Sequence, residues 1–212
     1  MSLHDPSLNI PHRRRRQVDG RRLRSERTRH LIIEAYLDLL RRGPGMPTAG
    51  QIAEHAGYSV RSIFERFSDL DALSLAAADY ALAVGQAEAV ARDVEGDRPA
   101  RIRSHVETRA YACEKWLPLW RILVGVQSKV ADLKPRMALA RQGNMTRLKL
   151  MYARELSILE ATARDQLLIA LVTLISFESW DQMRDHFGLS PEAAQDVWRS
   201  TIDRMLPPTP PR

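Results

Sequence analysis

At 212 residues, 44% hydrophobic and 27% charged, the chain is long enough for one ordinary domain, or for a small domain joined to a larger one with a sizeable core. Its lone cysteine, Cys113, excludes an internal disulfide framework and a four-cysteine metal site, and a reducing cytoplasm fits best. The net charge of +6 lies entirely in the first 30 residues, which hold nine Arg against three acids and leave 23 residues of each sign beyond them. A basic arm of this kind neutralises phosphates and releases counterions, so nucleic acid is the natural partner. An acidic membrane surface is the runner-up and a solvated tail the plain alternative.

No strand-like alternation recurs, and apolar residues fall three and four apart, so the chain reads as all-helical. Residues 1 to 24 read as a disordered basic arm, with no apolar signal-peptide core, so export is not expected. A first helix from about Ser25 carries Ile32, Ala35, Tyr36, Leu39 and Leu40 on one face, and Gly43 with Pro44 stops it. Thr48 and Gln51 have capping-box spacing and open a short helix with Ile52, Ala53 and Ala56, which ends near Gly57. Ser59 caps a third helix, from Val60 to about Phe67, that buries Ile63 and Phe67. Ser68 or Asp69 opens a fourth through Leu70, Leu73, Leu75 and Tyr80.

Beyond Gly96 and Pro99 the candidate helices are about 99 to 116, 118 to 131 and 135 to 156, with breaks at Pro118 and Pro135, then an apolar helix of about 161 to 186. Its strongly apolar run, Leu167 to Phe177, is 11 residues long, well short of the roughly 20 needed to span a bilayer, so no membrane partner is expected. Gly188 supplies a left-handed cap, and Ser190 with Pro191 starts a last helix to about Met205. Residues 207 to 212, PPTPPR, read as an extended, mobile tail.

Two short helices joined at Gly57, the second polar on its outer face, form a helix-turn-helix pattern. The first packs through Ile52, Ala53 and Ala56, and the second through Ile63 and Phe67, leaving Val60, Arg61, Ser62, Glu65 and Arg66 free. Arginine can bond both acceptors of a guanine edge, and serine a base or a phosphate, which makes this face a reader of double-stranded DNA. The competing reading is the solvated face of an ordinary helical hairpin.

Over residues 27 to 75 the chain resembles the TetR family of bacterial transcription regulators, through Ile32, Ile33, Ala35, Leu39, Gly43, Thr48, IAEHAG at 52 to 57, Ser59 and IFERF at 63 to 67. The resemblance implies a three-helix DNA-binding domain over residues 25 to 75 and a helical effector-binding and dimerisation domain over residues 76 to 206. It further implies a cytoplasmic homodimer that acts as a repressor on a pseudo-palindromic operator. Carried across position by position, the DNA contacts fall on Val60, Arg61, Ser62, Phe64, Glu65 and Arg66, with Thr48 at a phosphate. Two departures weaken backbone attraction: Phe64 stands where the family usually has tyrosine, and Leu70 where it usually has lysine. From Leu31 to Asp79 there are four arginines against seven acids, so the arm, with Arg13, Arg14, Arg15 and Arg16 at its centre, is expected to compensate along phosphates or in the minor groove.

Past residue 80 the resemblance is architectural. It implies an unidentified small-molecule effector, for which Tyr111, Trp116, Trp120, Tyr152 and Phe177 are candidate cavity residues, with Gln127 or Asn144 orienting the ligand. It also implies a dimer face on the last two helices, with Trp180, Val197, Trp198 and Ile202, though each of these also suits the core of its own subunit. Cys113 reads as an inert small hydrophobe or a redox sensor. Histidines at 4, 12, 30, 55, 105 and 186 have no metal-ligand spacing, and no nucleophile motif or phosphate-cradling glycine loop occurs, so neither an enzyme nor a cofactor is expected. The alternative function is a non-specific DNA-binding or helical interaction protein that kept the fold but lost operator recognition.

Overall fold

The computed structural model describes residues 12–43, 45–127 and 130–211, with side chains from Gly20 onward. The described residues are helical, without strands, and the chain divides into two compact units between Leu70 and Asp71, a few residues before the boundary expected at 75.

The first unit is built on α1 (His12–Arg42), α2 (Ala49–Ala56) and α3 (Val60–Phe64). Helix α1 begins at His12 rather than near Ser25, so residues 12 to 24 are helical and not a disordered arm; residues 1 to 11 lie outside the described residues. The reason is local: arginine is a strong helix former, and an existing helix extends at little cost. Arg22 and Glu26 add an ion pair at 2.9 Å, one turn apart.

The core of this unit joins Ile32, Ile33, Tyr36, Leu37 and Leu40 of α1 to Ile52 and Ala53 of α2, Ile63 of α3 and Phe67, all buried. Leu37 takes the buried place expected for Leu39, which is only half-buried. Across the α1–α2 contact, His55 Nε2 lies 2.7 Å from Asp38 Oδ2, and Arg42 Nη2 donates to the same oxygen at 2.6 Å. The His55 hydrogen bond, with the charge of Arg42, holds the Asp38 carboxyl below its ordinary value despite partial burial.

The second unit contains α4 (Leu70–Glu88), whose first residue closes the first unit, α5 (Arg98–Val126), α6 (Leu133–Met151), α7 (Ala153–Ser157), α8 (Ala161–Leu174), α9 (Phe177–Asp181) and α10 (Pro191–Met205). Helix α5 runs unbroken through Pro118, where sequence reading placed a break. A proline in a helix interior costs about 3 kcal/mol; burial of Cys113, Trp116, Leu117, Leu119, Trp120 and Leu123 around it outweighs that. The converse holds for the apolar segment read as one helix over 161 to 186. It breaks at Ile175, Ser176 accepts from Ser179 N at 3.0 Å to cap α9, and a π-helical turn over Gln182–His186 follows. The carbonyl freed at Ile175 accepts from Arg109 Nε at 2.7 Å, which removes the usual cost of a helix break inside a core. Gly188 then turns the chain at φ +65° and Ser190 caps α10, as the sequence reading expected.

Buried at the junction of α5 and α7, Glu155 receives two hydrogen bonds from Arg101, at 2.6 and 2.8 Å. Arg101 also donates to the carbonyls of Met151 at 2.7 Å and Gly96 at 3.2 Å. The tail expected to be mobile is instead fastened here: Thr209 donates to Glu155, Arg154 to the Pro210 carbonyl at 2.5 Å, and Arg98 to the Pro207 carbonyl at 2.6 Å. Prolines lose little entropy on docking, and their carbonyls remain free to accept.

Candidate nucleic-acid interface and ligand cavity

In the first unit, Thr48 accepts from Gln51 N at 3.3 Å while the Gln51 side chain accepts from Thr48 N at 2.8 Å, closing the capping box that starts α2. Gly57 stops it at φ +70°, a conformation that favours glycine, and Ser59 starts α3 by accepting from Ser62 N at 3.1 Å. Ile63 is fully buried, which fixes the rotation of α3 and leaves Val60, Arg61, Phe64 and Glu65 exposed. Arg61 has the most exposed cationic side chain of this face, at 88%, and among the described residues it pairs with Glu65, 3.0 Å away.

Arg66 differs from expectation. Its side chain folds back to donate to the Ser62 carbonyl at 3.0 Å and is only 22% exposed, because Arg29, stacked over the Phe67 ring and bonded to the Arg66 carbonyl, closes that side of α3. Ser62 is half-buried, its hydroxyl 3.0 Å from that of Ser59. The backbone of Arg13, Arg14, Arg15 and Arg16 belongs to α1, and their side chains lie outside the described residues.

The second unit holds a cavity of about 200 Å³. Its wall on α4 consists of Ala78, Ala81, Leu82, Gly85 and Gln86, three of which, Ala78, Ala81 and Gly85, are small and leave space open. Trp116, Trp120 and Phe177 form the aromatic wall, the last two stacked with ring centres 4.7 Å apart. Arg109, Arg136, Asn144 and Arg147 add polar groups, and no carboxylate is among the described residues that line it.

Of the aromatic residues expected there, Tyr111 and Tyr152 are elsewhere. Tyr111 is 58% exposed, because its position five residues before Trp116, at roughly 100° per residue, lies about 140° around α5 from it. Tyr152 is fully buried with its hydroxyl 2.9 Å from His105 Nδ1, and Gln127 is absent from the lining while Asn144 is part of it. Burial, with the charges of Arg147 and Arg109, drives the His105 pKa down to about 3. Burial likewise raises the Cys113 thiol to about 11. Sequence reading missed Arg109, Arg136 and Arg147; the signal was present in α6, where Arg136, Ala140, Gly143, Asn144 and Arg147 recur at helical spacing.

The dimer candidates are also redistributed. Trp180, Trp198 and Ile202 have no exposed surface: Trp180 and Trp198 meet with ring centres 4.6 Å apart, and Trp180 Nε1 donates to Glu114 at 2.7 Å, inside their own subunit. Val197 does reach the surface at 40% exposure, as do Ile169 and Phe187, which sequence reading passed over. Among the described residues, no cluster of three or more His, Cys, Asp or Glu side chains is arranged to hold a metal ion, and no helix is long and apolar enough to cross a membrane.

The described residues form an N-terminal helix-turn-helix unit and a separate helical unit that holds a cavity. The chain is similar to a TetR-family member from Streptomyces coelicolor, at 17% identity and a TM-score of 0.58, over 85% of this chain and 98% of that one. A protein from Mesorhizobium loti described as a TetR-family transcriptional regulator matches at 16% identity and 0.58, over 86% and 96%. The multidrug-binding protein EbrR, solved with malachite green, matches at 17% and 0.54, over 84% and 98%. No family model and no curated protein sequence matches the chain. The chain therefore has the fold of TetR-family regulators, an all-α fold shared along most of its length.

Proposed function

We propose that the protein is a ligand-responsive transcriptional regulator that binds a pseudo-palindromic operator as a homodimer and acts as a repressor. The observation that carries this reading is the presentation of α3: Ile63 is fully buried while Val60, Arg61 and Phe64 stand exposed on the opposite side. Arg61 would read a guanine edge, Val60 and Phe64 would pack on thymine methyl groups, and Thr48 would touch a phosphate. Two copies are needed to place two such helices about 34 Å apart in successive major grooves. Ile169, Phe187 and Val197 supply exposed apolar surface for that pairing.

The cavity of the second unit supports the ligand-responsive part, and EbrR with malachite green is a case of the same fold holding a small molecule. Helix α4 begins at the last residue of the first unit and lines the cavity with its later turns, so a ligand that moves α4 would alter the spacing of the recognition helices. By reciprocity, operator binding weakens ligand binding by the same factor.

One observation favours the second reading, a non-specific DNA-binding or interaction protein. Glu65 pairs with Arg61 at 3.0 Å and approaches Arg66 at 3.6 Å, tempering the positive charge of α3. The deciding experiment is selection of bound duplexes from a random pool at near-physiological salt, followed by sequencing. A regulator enriches a pseudo-palindrome bound roughly a thousandfold or more above bulk DNA. Enrichment of no sequence, with retention falling steeply in salt, establishes the second reading.

A further inference from the structure

Among the described residues, the buried side-chain polar atoms without a hydrogen-bond partner are six, and three of them belong to residues that line the cavity: Arg109 Nη2, Trp116 Nε1 and Trp120 Nε1. All three are donors, so an acceptor brought by a ligand would satisfy them. Arg109 itself is buried, pinned through Nε to the Ile175 carbonyl and laid over the Phe177 ring with its guanidinium 4.4 Å from the ring centre.

Charge points the same way. Arg136 is already matched by Asp79, through bonds of 2.6 and 3.0 Å. Arg109 and Arg147 form no ion pair among the described residues; Arg147 reaches only the Val90 carbonyl, at 3.4 Å. Among the described residues Glu88 pairs with Lys115, Glu114 with Arg184 and Glu178 with Arg141, none of them with Arg109 or Arg147, and α6 has no acid in its sequence. Burial, and then the proximity of Arg109, lowers the pKa of Arg147, which marks two like charges held close together. Two guanidinium groups beside an apolar, partly enclosed space are costly unless an anion is shared between them.

Resting on the reading of this cavity as the effector site, we propose that its ligand is a small apolar carboxylate. Arg109 and Arg147 bind the carboxylate, the two indole N–H groups complete its acceptor shell, and the Trp120–Phe177 stack and the alanine wall of α4 receive the apolar body. The volume of about 200 Å³ is below the roughly 300 Å³ at which drug-sized sites begin, so one aromatic ring or a short acyl chain is the fitting size.

The test uses the full chain and three probes of one shape: 3-phenylpropanoate, its primary amide and 3-phenylpropylammonium, with affinity read by titration calorimetry. The acid should bind at least ~10-fold more tightly than the amide, and the ammonium most weakly, because only the carboxylate gains charge-assisted bonds. Arg147→Gln should remove about that ~10-fold preference while leaving amide affinity in place. Since Arg109 variants also lose the bond to Ile175, Trp120→Phe serves as the second variant; it keeps the ring wall, removes one donor and should weaken the acid more than the amide. Equal or tighter binding of the amide or the ammonium overturns the anion assignment and leaves the cavity an effector site. Unchanged acid affinity in Arg147→Gln overturns it as well. Binding of none of the three below about 1 mM overturns both the ligand class and the reading of the cavity.

Discussion

Replacing Glu155 with glutamine isolates the cost of one uncompensated buried cation. The Arg101 side chain is 2% exposed and that of Glu155 not at all, so water cannot take over when the negative charge is removed. Glutamine keeps the shape and one acceptor, but it removes the charge from a pair held by bonds of 2.6 and 2.8 Å. Breaking such a pair from one side costs about 3 to 5 kcal/mol. Proton linkage gives a similar size: burial by itself would raise the Glu155 pKa, yet bonds from Arg101 and Thr209 lower it from 4.5 to about 2. A folded-state pKa below the unfolded one is worth about 3 kcal/mol here, fully present above the unfolded pKa and lost as pH falls toward the folded value. All four tryptophans, Trp116, Trp120, Trp180 and Trp198, lie in the second unit, so tryptophan emission during urea unfolding follows that unit. At neutral pH, E155Q should lose about 3 kcal/mol, and the gap to the parent chain should narrow as pH falls below the unfolded carboxyl value and close as it approaches about 2. A loss under about 1 kcal/mol, or a gap that does not change with pH, refutes the reasoning.

Other substitutions test the remaining parts of the structure. Arg61→Ala should weaken binding to a selected operator by about 1 to 3 kcal/mol and relax sequence preference at one position per half-site, measured by anisotropy against single-base variants. Gly57→Ala meets no atom within 4 Å of the added carbon, so its cost is that of the positive φ alone, about 1 to 2 kcal/mol in thermal or chemical unfolding. Cys113 should resist iodoacetamide at pH 8 in the folded chain and react at once in denaturant, because burial keeps it a thiol with a pKa near 11.

The helix-turn-helix was legible because its determinants are local. Capping boxes, a left-handed glycine and apolar residues three and four apart act within one or two turns, so Thr48, Gln51, Gly57 and Ser59 could be read from spacing alone. The outward face of α3 followed from Ile63 and Phe67 facing inward. The retraction of Arg66 did not, since it depends on Arg29, 37 positions earlier in the chain.

In the second unit the same kind of reading lost its hold at each point where distant groups decide the energy. Pro118 remains inside a helix because packed neighbours outweigh a local penalty, and the Ile175 break exists because Arg109, 66 positions away, accepts its cost. The Pro-rich end is fastened by Arg98, Arg154 and Glu155, none of which any local rule connects to it. By itself, then, the sequence determined the all-helical class, the helix-turn-helix and its caps, because short-range hydrogen bonds and periodic burial are written residue by residue. Only the tertiary structure decided which aromatic residues line the cavity and which arginines line it without an ion pair among the described residues, because an ion pair's partner and a side chain's burial are properties of long-range packing.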